Sequence, residues 1–185
     1  MAMRDWIWDG GRASVDLVNT LRDRKIGCRE LLDDTDALAE WLRLAKLTEH
    51  GDVTAEHLVA IRELREVVDR VLRGELADAD IAALNTWAAR HHQPPPQVRL
   101  TPRRELTAHV LTPEDPVASA LGAVAVDAIE LLLEARPPTI RICAAETCGL
   151  RFVDRSPARN RQWCSMARCG NRAKARQHYA RRKIT

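Results

Sequence analysis

No apolar run in this sequence is long enough to cross a bilayer. The longest, Val117 to Val126, includes Ser119 and Gly122 and stops at Asp127, far short of the roughly 20 residues a spanning helix needs. The opening MAMRDWIWDGGR lacks the continuous apolar stretch of a secretory leader, so a cytoplasmic protein is expected. No phosphate-cradling Gly loop and no activated nucleophile can be picked out, so no catalytic residue is assigned and no enzymatic activity is expected. No internal repeat is evident. Cysteine is almost missing from residues 1–138, where Cys28 stands alone between Gly27 and Arg29 and reads as a loop thiol without function. Aromatics are scarce as well, with one Phe, one Tyr and five Trp in the whole chain.

What is present is concentrated at the other end. Residues 139–185 carry 12 Lys/Arg against 2 Asp/Glu, whereas residues 1–138 carry 17 against 24. An acidic body with a basic tail suggests two modules and a polyanionic partner for the second. The other four cysteines lie in the same tail, spaced Cys143-x4-Cys148-x15-Cys164-x4-Cys169. In a reducing compartment such a cluster points to metal rather than disulfides. Two close pairs joined by a moderate loop let each pair wrap one edge of a tetrahedral ion. Four thiolates without a ligand histidine indicate one structural zinc, in a closed site with no position for water. Four independent buried thiols and an iron–sulfur cluster are the alternatives; the x15 gap does not match common ferredoxin spacing. The tail has too few apolar residues for a core of its own, and segments of this size usually need a staple.

Along the body, DWIWDGGR alternates apolar and polar residues before a Gly pair and predicts a short strand and turn. SVDLVNTLRDR predicts a short helix capped by Ser14, with Val15, Val18 and Leu21 on one stripe. DTDALAEWLRLAKL predicts a second, with Leu38, Trp41, Leu42 and Ala45 inward. A third follows a Thr54 cap, with Leu58, Ile61, Leu64, Val68, Val71 and Leu72 at helical spacing, ending near Gly74. ADIAALNTWAARH is a fourth. QVRLTPRRELTAHVLTP predicts a hairpin, and DPVASALGAVAVDAIELLLEA an apolar helix with Pro116 in its first turn. Arg136-Pro137-Pro138 then breaks the chain. The expected architecture is a mainly α domain with a small β-hairpin (α+β) over residues 1–138. A small zinc-stapled C-terminal module, residues 139–185, follows and ends in a basic helix.

That helix, CGNRAKARQHYARRK, is predicted to start at an Asn171 cap with Gly170 as the bend. Arg172, Arg176, Tyr179 and Lys183 form one stripe, and Lys174, His178, Arg181 and Arg182 a neighbouring one. Like charges at i,i+4 destabilise an isolated helix, so a polyanion is the expected partner. A membrane helix would show a bulky apolar face, which this one lacks. Asn171, Arg172, Lys174, Arg176 and Gln177 are placed nearest a DNA major groove. Arg155, Arg159 and Arg161 on the inter-pair loop, with Arg181, Arg182 and Lys183, are placed on phosphates. Structured RNA or the ribosome is the second class of partner, and a thiol redox sensor a third. Unpaired RNA is commonly read by aromatic stacking, and here Tyr179 and Trp163 are the only well-placed rings, which favours duplex DNA.

The stretch WCSMARCGNRAKAR, Trp163 to Arg176, with Cys143, Cys148 and FVDRS upstream, resembles the CGNR zinc finger. GGRASVDLVNTL, Gly10 to Leu21, and ADIAALN resemble the ABATE domain that usually precedes it. The resemblance spans nearly the whole chain and implies a bacterial protein of a group described as stress-induced transcription regulators. Gln162 and Pro157 depart from the basic loop expected there. Residues 1–138 are accordingly expected to sense a small-molecule effector or to form a homodimer, with Asp16 and Asn19, and Arg12 nearby, facing a ligand pocket or capping a turn. Trp6, Trp8, Trp41 and Trp87 are read as core, and His91-His92 as a helix C-terminal pair.

Overall fold

The computed structural model describes residues 4–95, 97–109, 111–134 and 139–182, the side chains of 177, 178 and 180–182 excepted. Its hub is a helix of six residues, α1 (Ala13–Val18), in which every residue from Ser14 to Val18 is buried. So short a helix has no stability of its own. It is held by packing on two long helices, α3 (Ala55–Leu72) and α5 (Pro116–Leu132). Helix α2 (Thr35–Leu44) lies on α3, and α4 (Asp78–Ala88) on α3 and α5. The expected stripes of α2 and α3 are the ones buried, apart from Ala45, which is half-buried: Leu38, Trp41 and Leu42 on one, Ile61, Leu64, Val68 and Val71 on the other.

Local signals fix most helix ends. Asp34 caps α2 by accepting from the Ala37 N–H at 2.6 Å. Thr54 caps α3, and His57 Nδ1 accepts the Thr54 N–H in return at 3.2 Å. The far side of the same imidazole meets Asp115, the N-cap of α5, at 3.1 Å. Pro116 opens α5 where its missing N–H costs nothing.

Three antiparallel hairpins complete the described fold: β1 (Leu21–Arg22) with β2 (Arg29–Glu30), β3 (Gln97–Leu100) with β4 (Leu106–His109), and β5 (Thr139–Ile142) with β6 (Arg151–Asp154). The second is the one the alternation predicts. A five-residue π-helical turn, Met166–Gly170, leads into the basic helix α6 (Asn171–Arg182).

Three local expectations need correcting. Residues 5–9 form no strand, although their alternation is real. Trp6 packs on the main core, Trp8 stacks on Trp41 with ring centroids 6.1 Å apart, and Ile7 enters a second core containing the cysteines. The segment is a wedge between two cores, with no ladder beside it. Ser14 is not a cap: Arg12 occupies that position, and the Ser14 N–H and hydroxyl both donate to Asp127 on α5. Asn171 is already helical at φ −66°, ψ −38°, because the π turn has begun the helix five residues earlier.

Gly122 marks the closest approach of α4 and α5. A Cβ there would lie 2.5 Å from the His91 nitrogen and 2.8 Å from the Trp87 oxygen, both backbone. Gly122→Ala must therefore push the end of α4 off α5, at a cost of about 1–3 kcal/mol. Thermal unfolding should show a Tm lower by roughly 2–4 °C per kcal/mol; an unchanged Tm would mean that the contact is loose.

Candidate metal centre

Cys143 and Cys148 come from the loop after β5, Cys164 from the segment before the π turn and Cys169 from the turn itself. Their sulfurs all lie within 4.8 Å of one another. Cys148 and Cys164 are 3.9 Å apart and Cys164 and Cys169 3.7 Å. Sulfurs on a tetrahedral ion at a Zn–S distance of ~2.3 Å stand about 3.8 Å apart, so the donor set already has zinc's dimensions. Three of the cysteines are buried and Cys148 is half-buried. The Cys164 contact draws the Cys148 thiol down to about 5, while the same contact and burial push Cys164 up. Burial, and then the Cys148 charge, raise Cys169. The protein alone thus favours the Cys148 thiolate over those of Cys164 and Cys169, and a divalent cation is what lets such a set ionise together. The residues fit one structural zinc with a complete protein shell.

The four letters of the tetrad have separate tasks. Cys169 is a ligand. Gly170 leaves little space: a Cβ would meet Met166 Sδ at 2.5 Å and Trp163 Cδ1 at 3.2 Å, so the exposed Met166 side chain would have to move aside. Asn171 is exposed at the first position of α6. Arg172 donates to the Arg168 carbonyl at 3.0 Å and points Nη2 at the Cys169 sulfur, 3.5 Å away.

Two family models match the chain. One is the CGNR zinc finger, over residues 139–182; the other is ABATE, described as a putative stress-induced transcription regulator, over residues 11–135. The chain belongs to the ABATE family. It carries a CGNR finger C-terminal to the ABATE domain, as the sequence resemblance implies. A search of curated proteins finds no match.

The finger and the ABATE domain meet along β6, whose side chains alternate between them. Phe152 packs among the cysteines, and Val153 packs in the helical core. Arg151 reaches the other way too, as a buried guanidinium donating to both oxygens of Asp69 on α3 at 2.8 and 3.0 Å. Arg24 and Arg73 also face Asp69, at 3.7 and 3.5 Å. Asn19 pairs with the Arg151 backbone in both directions at 2.8 Å, and the Gly10 carbonyl accepts the Val153 N–H at 2.9 Å. Asp9 pairs with Arg168. Asp154 accepts from Ser156 and the Arg161 N–H and pairs with Arg141, which shapes the loop between the cysteine pairs.

This seam absorbs the residues expected to face a ligand. Arg12 pairs with Asp127 at 2.8 Å and Glu130 at 3.0 Å. Asp16 accepts the Gly10 N–H at 2.8 Å, and Asn19 holds β6. Arg12 and Asp16 are thus held within the ABATE domain, and in the GGRASVDLVNTL stretch it is Gly10 and Asn19 that hold the finger. The inter-pair loop changes too. Arg155 is paired with Glu134 at 2.8 Å, and Arg161 donates to the Trp163 and Cys164 carbonyls with its guanidinium 4.7 Å from the Phe152 ring centre. Arg159 sits at φ +44°, its carbonyl accepting from Arg141. Lys174 is exposed, and Arg176 meets Glu146 at 3.0 Å. The side chains of Gln177, Arg181 and Arg182, and all of Lys183, lie outside the described residues. Sequence reasoning missed Asp69, Arg151 and Lys25; the one available signal was a lone cation inside the apolar run Leu150–Val153.

Zinc should be present at one ion per chain by elemental analysis, and Cys164→Ser should lose it. The seam adds a pH dependence. Burial, together with the Asp127 charge, raises the Asp16 carboxyl to about 7 against the Gly10 hydrogen bond. The folded form therefore holds a proton that the unfolded chain releases near pH 4, and stability falls as pH rises from about 4 to 7. The full effect is on the order of 4 kcal/mol. Asp16→Asn should flatten that slope relative to the parent in denaturant titrations at pH 5 and pH 7.5. Parallel curves would show that Asp16 titrates normally.

Proposed function

We propose that this chain is a zinc-dependent regulator that binds double-stranded DNA through the finger, with α6 as the contacting element. The observation that carries the reading is the distribution of charge. Arg151, Arg155 and Arg168 are paired with acids of the body, whereas the sequence of α6 places Arg172, Lys174, Arg176, Arg181 and Arg182 on successive turns. The acid met among its described side chains is the exposed Glu146, and the cysteine site stands at its base. Arginines on such a helix neutralise phosphates and release counterions, and Arg and Asn can reach base edges in the major groove. A cleft of about 220 Å³ runs between the first cysteine loop and α6, lined by Glu146, Trp163, Arg172 and Arg176. The pair Arg176–Glu146 spans it, and both residues are well exposed. A phosphate would take the place of the Glu146 carboxylate, so Glu146 competes with the nucleic acid for Arg176.

The closed cysteine shell leaves no coordination position for water, which argues against metal-assisted catalysis. One helix contacts few base pairs, each worth roughly 1–3 kcal/mol of discrimination. Two fingers supplied by a homodimer would extend the site, and the ABATE domain would set their orientation through the seam.

Affinity for duplex DNA, followed by fluorescence anisotropy, should fall with salt at a log–log slope of roughly −4 to −5, for about five phosphate contacts. Arg176→Gln should make the slope shallower by about one. Glu146→Gln should tighten binding at low salt. A slope near zero would remove the polyanion reading, and stronger competition by structured RNA than by duplex DNA would favour the RNA class.

A further inference from the structure

The two cysteine pairs are built alike in one respect that crosses the boundary between the family domains. Beside the second pair, Arg161 of the finger donates to the Trp163 and Cys164 carbonyls. Beside the first pair the described residues of the finger supply no such cation. The corresponding group is Lys25, from the ABATE domain, whose ammonium donates to the Cys143 carbonyl at 2.7 Å and the Ala145 carbonyl at 3.0 Å.

Lys25 is delivered by the tip between β1 and β2. Asp23 at φ +55°, Gly27 at φ +134° and Cys28 at φ +52° fold this tip back, with the Ile26 and Cys28 N–H groups both on the Asp23 carbonyl. Arg24 anchors it to α3 through Glu66, both contacts at 3.2 Å. The tip also lies against the first loop so closely that a Cβ on Gly149 would meet Arg24 Cβ at 3.1 Å. The position of the ammonium is therefore set by the helical body.

We infer that Lys25 is a positioning residue of the zinc site, so that the ABATE domain completes the metal centre of the finger. Two arguments support this. Four residues separate Cys143 from Cys148, a longer span than a two-residue knuckle. Within it the turn closes through one long hydrogen bond, Cys148 N–H to the Ala145 carbonyl at 3.2 Å. An ammonium on the Cys143 and Ala145 carbonyls clips this loop in its metal-binding shape. The second argument is charge. Four thiolates around a divalent ion leave two negative charges, and groups beyond the ligands tune such sites. Arg172 sits at the Cys169 sulfur and Arg161 beside Cys164, and Lys25 brings a cation to the Cys143 side. Lys25 touches no sulfur, so it acts through the loop and the field.

The test is zinc affinity of the full-length chain by competition with a chromophoric chelator. Lys25→Met should weaken zinc about tenfold, the lower end of the range for groups outside the ligand set. Lys25→Arg should restore most of the loss, because it keeps both the charge and the donors. Cobalt substitution provides a second reading: the thiolate-to-metal absorption of Lys25→Met should retain the intensity of four sulfur ligands, so that weaker binding is not a lost ligand. Lys25 is exposed, so the zinc-saturated variant should show the parental circular dichroism. Parental zinc affinity in Lys25→Met would overturn the inference, and so would an Arg variant as weak as the Met one.

Discussion

A single strand facing two ways governs this structure. β6 sends Phe152 into the sulfur cluster and Val153 into the helical core, and the Arg151 guanidinium leaves the same strand to meet Asp69. Strand geometry makes that alternation rigid, since a slip by one residue exchanges the two faces. Such a slip would bring Arg151 among four thiolates and lift its charge from Asp69. Buried ion pairs are poor sources of net stability, but removing one partner costs about 3–5 kcal/mol because a charge is left uncompensated. Here the pair therefore acts mainly on register, by making the wrong pairing expensive.

That constraint ties two folding problems together. The finger's own core consists of three cysteines, Leu150 and Phe152, joined by Ile7 from the other end of the chain. Structural zinc contributes about 10–16 kcal/mol of apparent binding energy in such modules. In this chain the stabilised object includes β6, and through it α1 and α3. α1 in turn is too short to persist without its neighbours. The family boundaries near residue 138 divide the sequence, but Ile7, Asn19, Lys25 and Asp69 lie on one side of that boundary with their partners on the other. Metal loading and the packing of the helical body are consequently parts of one equilibrium.

The same geometry separates what the sequence could disclose from what it could not. The zinc ligands were legible because four thiols at x4, x15 and x4 have few uses besides metal. α3 and α5 were legible because apolar side chains at helical spacing need a single buried face, and Thr54 and Pro116 mark their starts. The polar residues were not. Asp16 and Asn19 read as pocket residues because the sequence names no partner for either; Asp16 is met by the Gly10 N–H six residues back, while the Asn19 partner lies 132 positions away. Residues 5–9 misled for a related reason: alternation reports two environments on opposite sides, which a strand provides, but so does a wedge between two cores. Arg155 and Arg161 read as phosphate contacts from their place on the loop between the cysteine pairs. Glu134, and the carbonyls beneath Cys164, take up those guanidinium donors in the fold.

Those assignments change what the tail's charge means. The excess of 12 Lys/Arg over 2 Asp/Glu looks like one broad basic surface. In the fold Arg151, Arg155 and Arg168 are answered by acids of the body, and Arg141 by Asp154. The buried pair Arg151–Asp69 is shielded from bulk salt far more than the exposed pair Arg155–Glu134, so it persists under conditions that strip a polyanion from the surface. The body's acidity is thus put to structural use, gripping the finger by the cations that do not point outward. Under the proposed function the helix left for a partner is α6, where Lys174 is exposed and Arg176 meets the exposed Glu146. A single cationic helix suits a groove better than a flat anionic surface, and the cysteine site at its base sets where that helix starts.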